Sequence, residues 1–228
     1  MKLHIFNPEH DIALAANQER FTAPHAGRRL RTDLGFIPVF WASEGDMVLV
    51  DDVEAAIEAR RHLSKFGKDV VFVTYADLKA FAFEDVESFQ VDPWGWDRTI
   101  KEQLLRANSN LQPFMPSDET LAAIREMSSR RFAAEHLLPL LREAGEEKTV
   151  GEARYCTTME EVKLTMAQNG KSVLKSPWSS SGRGVRYVET VAPDAHLEGW
   201  AANVVKRQGG IMVEPLYNKA VSYTHLRA

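Results

Sequence analysis

The feature that most constrains this chain is a regular exchange of short apolar runs with segments at helical spacing, which begins at the first residues. Residues 3–6 read as a short buried strand, and residues 23–34 as a helix stopped by Gly35. Residues 36–41 and 47–50 are aromatic or β-branched runs, and residues 53–66 carry apolar side chains at helical spacing before Gly67. Residues 70–75 form the next strand. Within it Val70, Val71, Phe72 and Val73 are continuously apolar, as a strand is when helices cover both faces of a parallel sheet. Such alternation predicts a doubly wound α/β unit over residues 1–112.

Pro113 and Pro116 break the pattern and mark the boundary of a second segment. Ser117 is placed to cap a helix whose first turn holds Asp118 and Glu119, where carboxylates face the positive end of the helix dipole. A second helix is expected over residues 129–143, with Phe132, Leu137, Leu138 and Leu141 on its apolar side and Gly145 as its stop. The order then changes to a strand at 153–156, a helix at 158–168, and a strand, glycine loop and strand. Thr157 and Glu160 have the spacing of a capping box for that helix, and Gly170 ends it. Residues 113–220 therefore read as a smaller α+β lobe.

Composition narrows the functional classes. The chain has 228 residues, 44% of them hydrophobic, which supports a sizeable core. Its 28 Lys and Arg against 32 Asp and Glu give no overall bias toward nucleic acid or a membrane surface. The one basic knot, Arg28, Arg29 and Arg31, reads as a solvated helix face or an anion site, the former being the plainer reading. The single cysteine, Cys156, lies in an apolar stretch and reads as a buried structural thiol. The opening MKLHIFNPEHD turns polar after six residues, too early for a secretory leader, and no run approaches the roughly 20 apolar residues of a membrane span. A cytoplasmic location is expected.

The densest chemistry lies in SVLKSPWSSSGRGVRYV, residues 172–188. A strand delivers Lys175 at its end, and the turn Ser179, Ser180, Ser181, Gly182, Arg183, Gly184 feeds a second strand. A small-residue turn of this kind lets successive backbone N–H groups converge on a phosphate, while the neighbouring lysine supplies a mobile positive charge. No Gly-Lys-Ser/Thr opens a helix, and the glycines follow the wrong element for a dinucleotide fingerprint. The plain alternative is an ordinary glycine-serine hairpin with a solvated lysine. Further on, Gly209 and Gly210 precede Ile211, Met212, Val213, Glu214, Pro215 and Leu216, a buried strand with a carboxylate at its end. No partner carboxylate stands at glycosidase spacing; a hydrogen bond to an adenine amino group is the better use of Glu214.

Taken together, Leu174, Lys175, the Ser/Gly loop, Gly184, Val185, Val213, Glu214 and Pro215 resemble the ATP-grasp family. The likeness is specific only over residues 171–217 and loose elsewhere. It implies an α/β chain in which a Rossmann-like pre-ATP-grasp domain (1–112) is followed by the first α+β lobe of an ATP-grasp fold with its hinge strand (113–220), the second lobe missing. It further implies that Lys175 contacts phosphates, that the lid formed by Ser180, Ser181, Gly182, Arg183 and Gly184 closes over them, that Glu214 accepts from the adenine amino group and that the Leu216 backbone pairs with the ring. Arg131 or its neighbour Arg130 stands where a second cation is expected. The cofactors implied are ATP and Mg2+, the metal ligands being expected in the missing lobe, and the partner is a small-molecule or peptide carboxylate. The parent would be an ATP-dependent ligase that makes an acyl phosphate for attack by an amine or other nucleophile; the 228 residues alone are expected to bind nucleotide weakly and not to turn over.

Three further features complete the reading. Asn7, Pro8, Glu9, His10 and Asp11 end the first strand, where an open parallel sheet binds ligands, and His10, Glu9 and Asp11 are candidate catalytic groups. The alternative there is that Asp11 caps a helix and His10 is a hydrogen-bonded loop residue. Trp94 and Trp96 wall a pocket or cover the sheet edge, with Asp97 capping the next helix. The last eight residues, from Val221 to Ala228, look like a non-native, adapter-derived tail, so that the native sequence is expected to depart near Ala220. A rival class is a sugar-nucleotide or other nucleotide-binding protein without ligase activity, for which Asp51 and Asp52 are the nearest carboxylate pair.

Overall fold

The computed structural model describes residues 1–63, 65–82, 88–145, 151–179, 182–190 and 193–218. The chain divides into two compact units, Met1–Glu126 and the part from Met127 onward.

In the first unit the elements are β1 (Lys2–Ile5), α1 (His10–Ala16), α2 (His25–Leu34), β2 (Met47–Leu49), α3 (Val53–His62), β3 (Val71–Val73), α4 (Tyr75–Ala80), β4 (Gln90–Pro93), α5 (Arg98–Ala107) and α6 (Asp118–Met127). The four strands are all parallel and ordered β3-β2-β1-β4. Strand alternation sorts their side chains. Leu3, Ile5, Met47, Leu49, Val73 and Val91 point to one face, where Leu78 of α4 and Ile100 and Leu104 of α5 complete the core. Val48 and Val50 point to the other and meet Ala56 of α3. Helices thus cover both faces at the centre of the sheet, where β2 is buried throughout. The edge strands are not so covered: β4 alternates buried and exposed residues and β3 leaves Val71 53% exposed, which corrects the expectation that Val70 to Val73 are buried on both faces.

Several local outcomes extend or correct the sequence expectation. Within the aromatic run at 36–41, to which the sequence assigns no element, Ile37–Phe40 is a 3-10 turn with Pro38 in its first positions, where a missing N–H is no loss. Helix α3 ends at His62, short of residue 66, its Asp52 cap accepting from Ala55 N at 3.0 Å. Helix α2 begins at His25 rather than at residue 23, after Pro24.

The second unit contains α7 (Arg130–Phe132), α8 (Leu138–Glu143), β5 (Arg154–Cys156), α9 (Met159–Asn169), β6 (Ser172–Lys175), β7 (Val185–Val188), α10 (Ala195–Gln208) and β8 (Ile211–Pro215). The helix expected over 129–143 is present, but a π-helical stretch, Ala133–Leu137, joins α7 to α8. Pro139 accounts for it: the residue offers no N–H to the carbonyl four positions earlier and its ring crowds that carbonyl, so the helix widens there. The capping box sits one residue later than expected. Thr158 caps α9 and pairs with Glu161, which also accepts from Thr157. All pairings in this sheet are antiparallel, in the order β5-β8-β6-β7. Its core gathers Leu174, Ile211 and Val213 from the sheet with Val162 and Met166 of α9 and Ala201 and Val204 of α10. Cys156 is buried there, 3.6 Å from Thr165 Oγ1, and burial pushes its thiol up from the usual range.

Among the described residues no helix is long and apolar enough to cross a membrane.

Candidate functional site

Two sites emerge, one in each unit. In the second unit the register sets Val173 opposite Glu214 and Lys175 opposite Met212. Alternation then puts Val173, Lys175, Met212 and Glu214 on the face turned away from the α9 and α10 core. Lys175 Nζ donates to Glu214 Oε2 at 2.5 Å, with side chains 28% and 24% exposed. A short, charge-assisted bond at that burial is worth more than a surface pair, and it leaves two ammonium protons and one carboxylate oxygen for other partners. Over this face opens a cavity of about 460 Å3. Ala133, Ala134 and Leu138 give it an apolar wall, and Arg130, Glu152 and Tyr217 give it polar ones.

The loop after β6 is anchored at its start. Arg130 N donates to Pro177 O at 3.0 Å, and the Arg130 guanidinium donates to Ser176 O at 2.5 Å, Ser179 Oγ at 2.7 Å and Ser179 O at 2.9 Å. Trp178 N donates to Gln208 Oε1 at 3.1 Å. On the return side Gly182 is left-handed at φ +72°, Arg183 is exposed, and Ser176 N donates to Gly184 O at 2.8 Å. Gly184 lies so close to the outgoing chain that an added Cβ would fall 2.2 Å from Ser179 Oγ and 2.5 Å from Ser179 Cβ. Gly184→Ala is therefore expected to destabilise the second unit by about 1–3 kcal/mol, the usual cost of overpacking. A urea melt with an unchanged midpoint would show that the loop does not close on this residue. Ser180 and Ser181, like the tail from Val221 to Ala228, lie outside the described residues.

Of the two adjacent arginines, Arg130 lines the cavity and holds the loop. Arg131 faces elsewhere: it pairs with Glu135 at 2.7 Å and lies over the Tyr155 ring at 4.9 Å. The Leu216 N–H donates to Lys171 O at 2.9 Å, so the backbone group it has left to offer a ring is its carbonyl.

The first unit builds its site where the strand order reverses, between β1 and β4, the place at which an open α/β sheet forms a crevice. Asn7 ties the two strand ends together: its Nδ2 donates to Gly95 O at 2.8 Å and its Oδ1 accepts from Gly95 N at 3.2 Å. His10 Nδ1 lies 3.1 Å from Asp97 Oδ2, while Asp97 Oδ1 caps α5 through Ile100 N at 2.9 Å. Asp11 is not a cap but sits in the first turn of α1.

Glu9 is committed to a buried network. Its Oε1 accepts from Arg31 Nη1 at 3.0 Å, and Arg31 also donates to Tyr75 OH at 2.6 Å and Gln103 Oε1 at 3.3 Å. Burial opposes the charge on Arg31, but Tyr75 and Glu9 outweigh it and hold the guanidinium above its ordinary value. Burial pushes the Tyr75 phenol up, against the pull of Arg31. Glu9 Oε2 is buried without a donor beside a void of about 10 Å3, roughly the room one water needs. The basic knot thus divides: Arg29 is exposed on Asp33 at 2.8 Å, and Arg31 is interior. Asp51 and Asp52 do not stand as a free pair, since Asp52 caps α3 and Asp51 accepts from Thr32 Oγ1 at 2.7 Å. Trp96 packs on the core and Trp94 is 62% exposed against Phe6 and Trp41.

Comparison with known proteins adds little. No family model matches the chain, and no curated protein does. Among solved structures the chain is similar to a RimK domain ATP-grasp protein from Sphaerobacter thermophilus, at 21% identity and a TM-score of 0.37, over 77% of this chain and 65% of that one. At that level of superposition no residue role carries across.

Proposed function

We propose that the second unit binds ATP against the open face of its antiparallel sheet, and that the protein uses it as an ATP-grasp ligase does, to activate a carboxylate. The observation that carries this reading is the meeting of Lys175 and Glu214 on the same sheet face, at the mouth of an anchored Ser/Gly loop and beneath a partly apolar cavity. The cavity volume of about 460 Å3 falls in the range of small-molecule sites. Ala133, Ala134 and Leu138 suit an adenine ring. Glu214 has an oxygen left to accept from the exocyclic amino group, the Leu216 carbonyl can do the same, and Lys175 has protons left for phosphate oxygens. The return of the loop, Gly182 to Gly184, offers backbone N–H groups to the terminal phosphates.

In the reaction so proposed, a carboxylate oxygen of the substrate attacks the γ-phosphorus, the bridging P–O bond breaks and ADP departs. The acyl phosphate then accepts an amine or another nucleophile at its carbonyl carbon and releases phosphate. Such transfers depend on positioning and on charge stabilisation. Among the described residues no group of His, Cys, Asp or Glu is placed to hold a metal ion, so the Mg2+ of such a reaction finds no cage in them. ATP titration by calorimetry is the test. Lys175→Ala is expected to weaken ATP about tenfold or more, as loss of a hydrogen bond from a charged group does, while changing adenosine affinity little. Equal ATP affinity in the two proteins would sink the assignment.

A further inference from the structure

The first unit carries an open cavity of about 630 Å3, larger than the one over the second unit's sheet. Its floor is made by the residues that follow three parallel strands: Glu9 after β1, Asp51 after β2 and Tyr75 after β3. Its walls come from α2, which contributes Arg28 and Arg31, and from α5, which contributes Gln103 and Arg106. The charges are arranged unevenly. Arg31 and Glu9 neutralise one another in the buried network. Arg28 and Arg106 have no ion-pair partner among the described residues, and neither does Asp51, whose contact is the neutral Thr32 hydroxyl. Unpaired guanidinium and unpaired carboxylate therefore share one cavity without closing on each other.

That arrangement is complementary to a dipolar solute. Guanidinium recognises carboxylate and phosphate through a planar fork of donors, and a carboxylate recognises an ammonium. The crevice beyond the carboxyl ends of parallel strands is also where such sheets take ligands. The geometry points to a second binding site, on the first unit, for a small molecule with an anionic group at one end and an ammonium at the other. Arg28 and Arg106 hold the anion and Asp51 holds the ammonium. Carboxylate and phosphate meet the same chemistry here, so α-amino acids and phosphorylated amines are the two sources. This site lies in the first unit and does not rest on the ATP reading.

Calorimetric titration of the whole chain with the common α-amino acids and with O-phosphoethanolamine tests it. At least one of these probes is expected to bind, and which of the two sets does so identifies the anion. The matching acid without its nitrogen, or inorganic phosphate, is expected to bind roughly tenfold or more weakly, as are all the probes to Asp51→Asn. Arg28→Ala and Arg106→Ala are each expected to weaken the probe to a similar degree. These side chains are exposed, so the variants should melt with the parent. Arg29→Ala removes the same charge from the same helix outside the cavity and is expected to leave binding unchanged. Three results would overturn the site: no titrating probe, nitrogen-free acids that bind as tightly, or an Arg29→Ala effect as large as that of Arg28→Ala.

Discussion

Arg31→Ala is expected to lower the stability of the first unit by about 3–5 kcal/mol, the cost of removing one partner from a buried ion pair. The side chains of Arg31 and Glu9 are only 15% and 11% exposed, so the carboxylate left behind has little water to turn to. One Glu9 oxygen already lacks a donor; the substitution orphans the other, and strips Tyr75 and Gln103 of a common neighbour. The double variant Arg31→Ala/Glu9→Gln separates charge from packing. Removing the uncompensated charge should recover part of the loss, and the remainder measures the guanidinium's contacts. Urea unfolding of the three proteins provides the comparison. A single variant within about 1 kcal/mol of the parent would show the pair to behave as a solvated one.

Leu174→Ala is expected to cost the second unit about 2–5 kcal/mol. Leu174 is wholly buried, hydrogen-bonded neighbours flank it on both sides through Arg186 and Val213, and its side chain meets the core under α9 and α10. Truncation leaves a hole that a close-packed interior fills only in part. Leu174→Met keeps the volume and should stay within about 1.5 kcal/mol of the parent. Because Leu174 immediately precedes Lys175 on β6, the alanine variant should also weaken the ATP binding proposed above, whereas the methionine variant should not. An alanine variant as stable as the methionine one would place this side chain outside the core.

The parallel sheet was legible in the sequence because its strands are short runs set between segments at helical spacing, although Val71–Val73 form an edge strand, with Val71 53% exposed, rather than one covered on both faces. Strand β6 was legible from its own short apolar run, and the Asp97 cap of α5 from a signal that works over three residues. The network around Arg31 left no such local signal. Its partners lie 22, 44 and 72 residues away, and three arginines within four residues look alike until the helix turns one of them inward. The same holds for Arg130 and Arg131, where about 100° of rotation between neighbours on a helix separates a loop clamp from an outer ion pair. The capping box slipped by one residue because two threonines and two glutamates stand in register, so that spacing alone permits either pair.

The order β5-β8-β6-β7 has a consequence for motion. Lys175 and Glu214 belong to the two inner strands, each of which is bonded along both its sides, whereas β5 and β7 are the rims. Amide protons on β6 and β8 should therefore exchange with deuterium only when the whole unit opens, while those on β5 and β7 exchange by fraying. The lysine and the glutamate are thus carried by the two strands expected to open last in their unit.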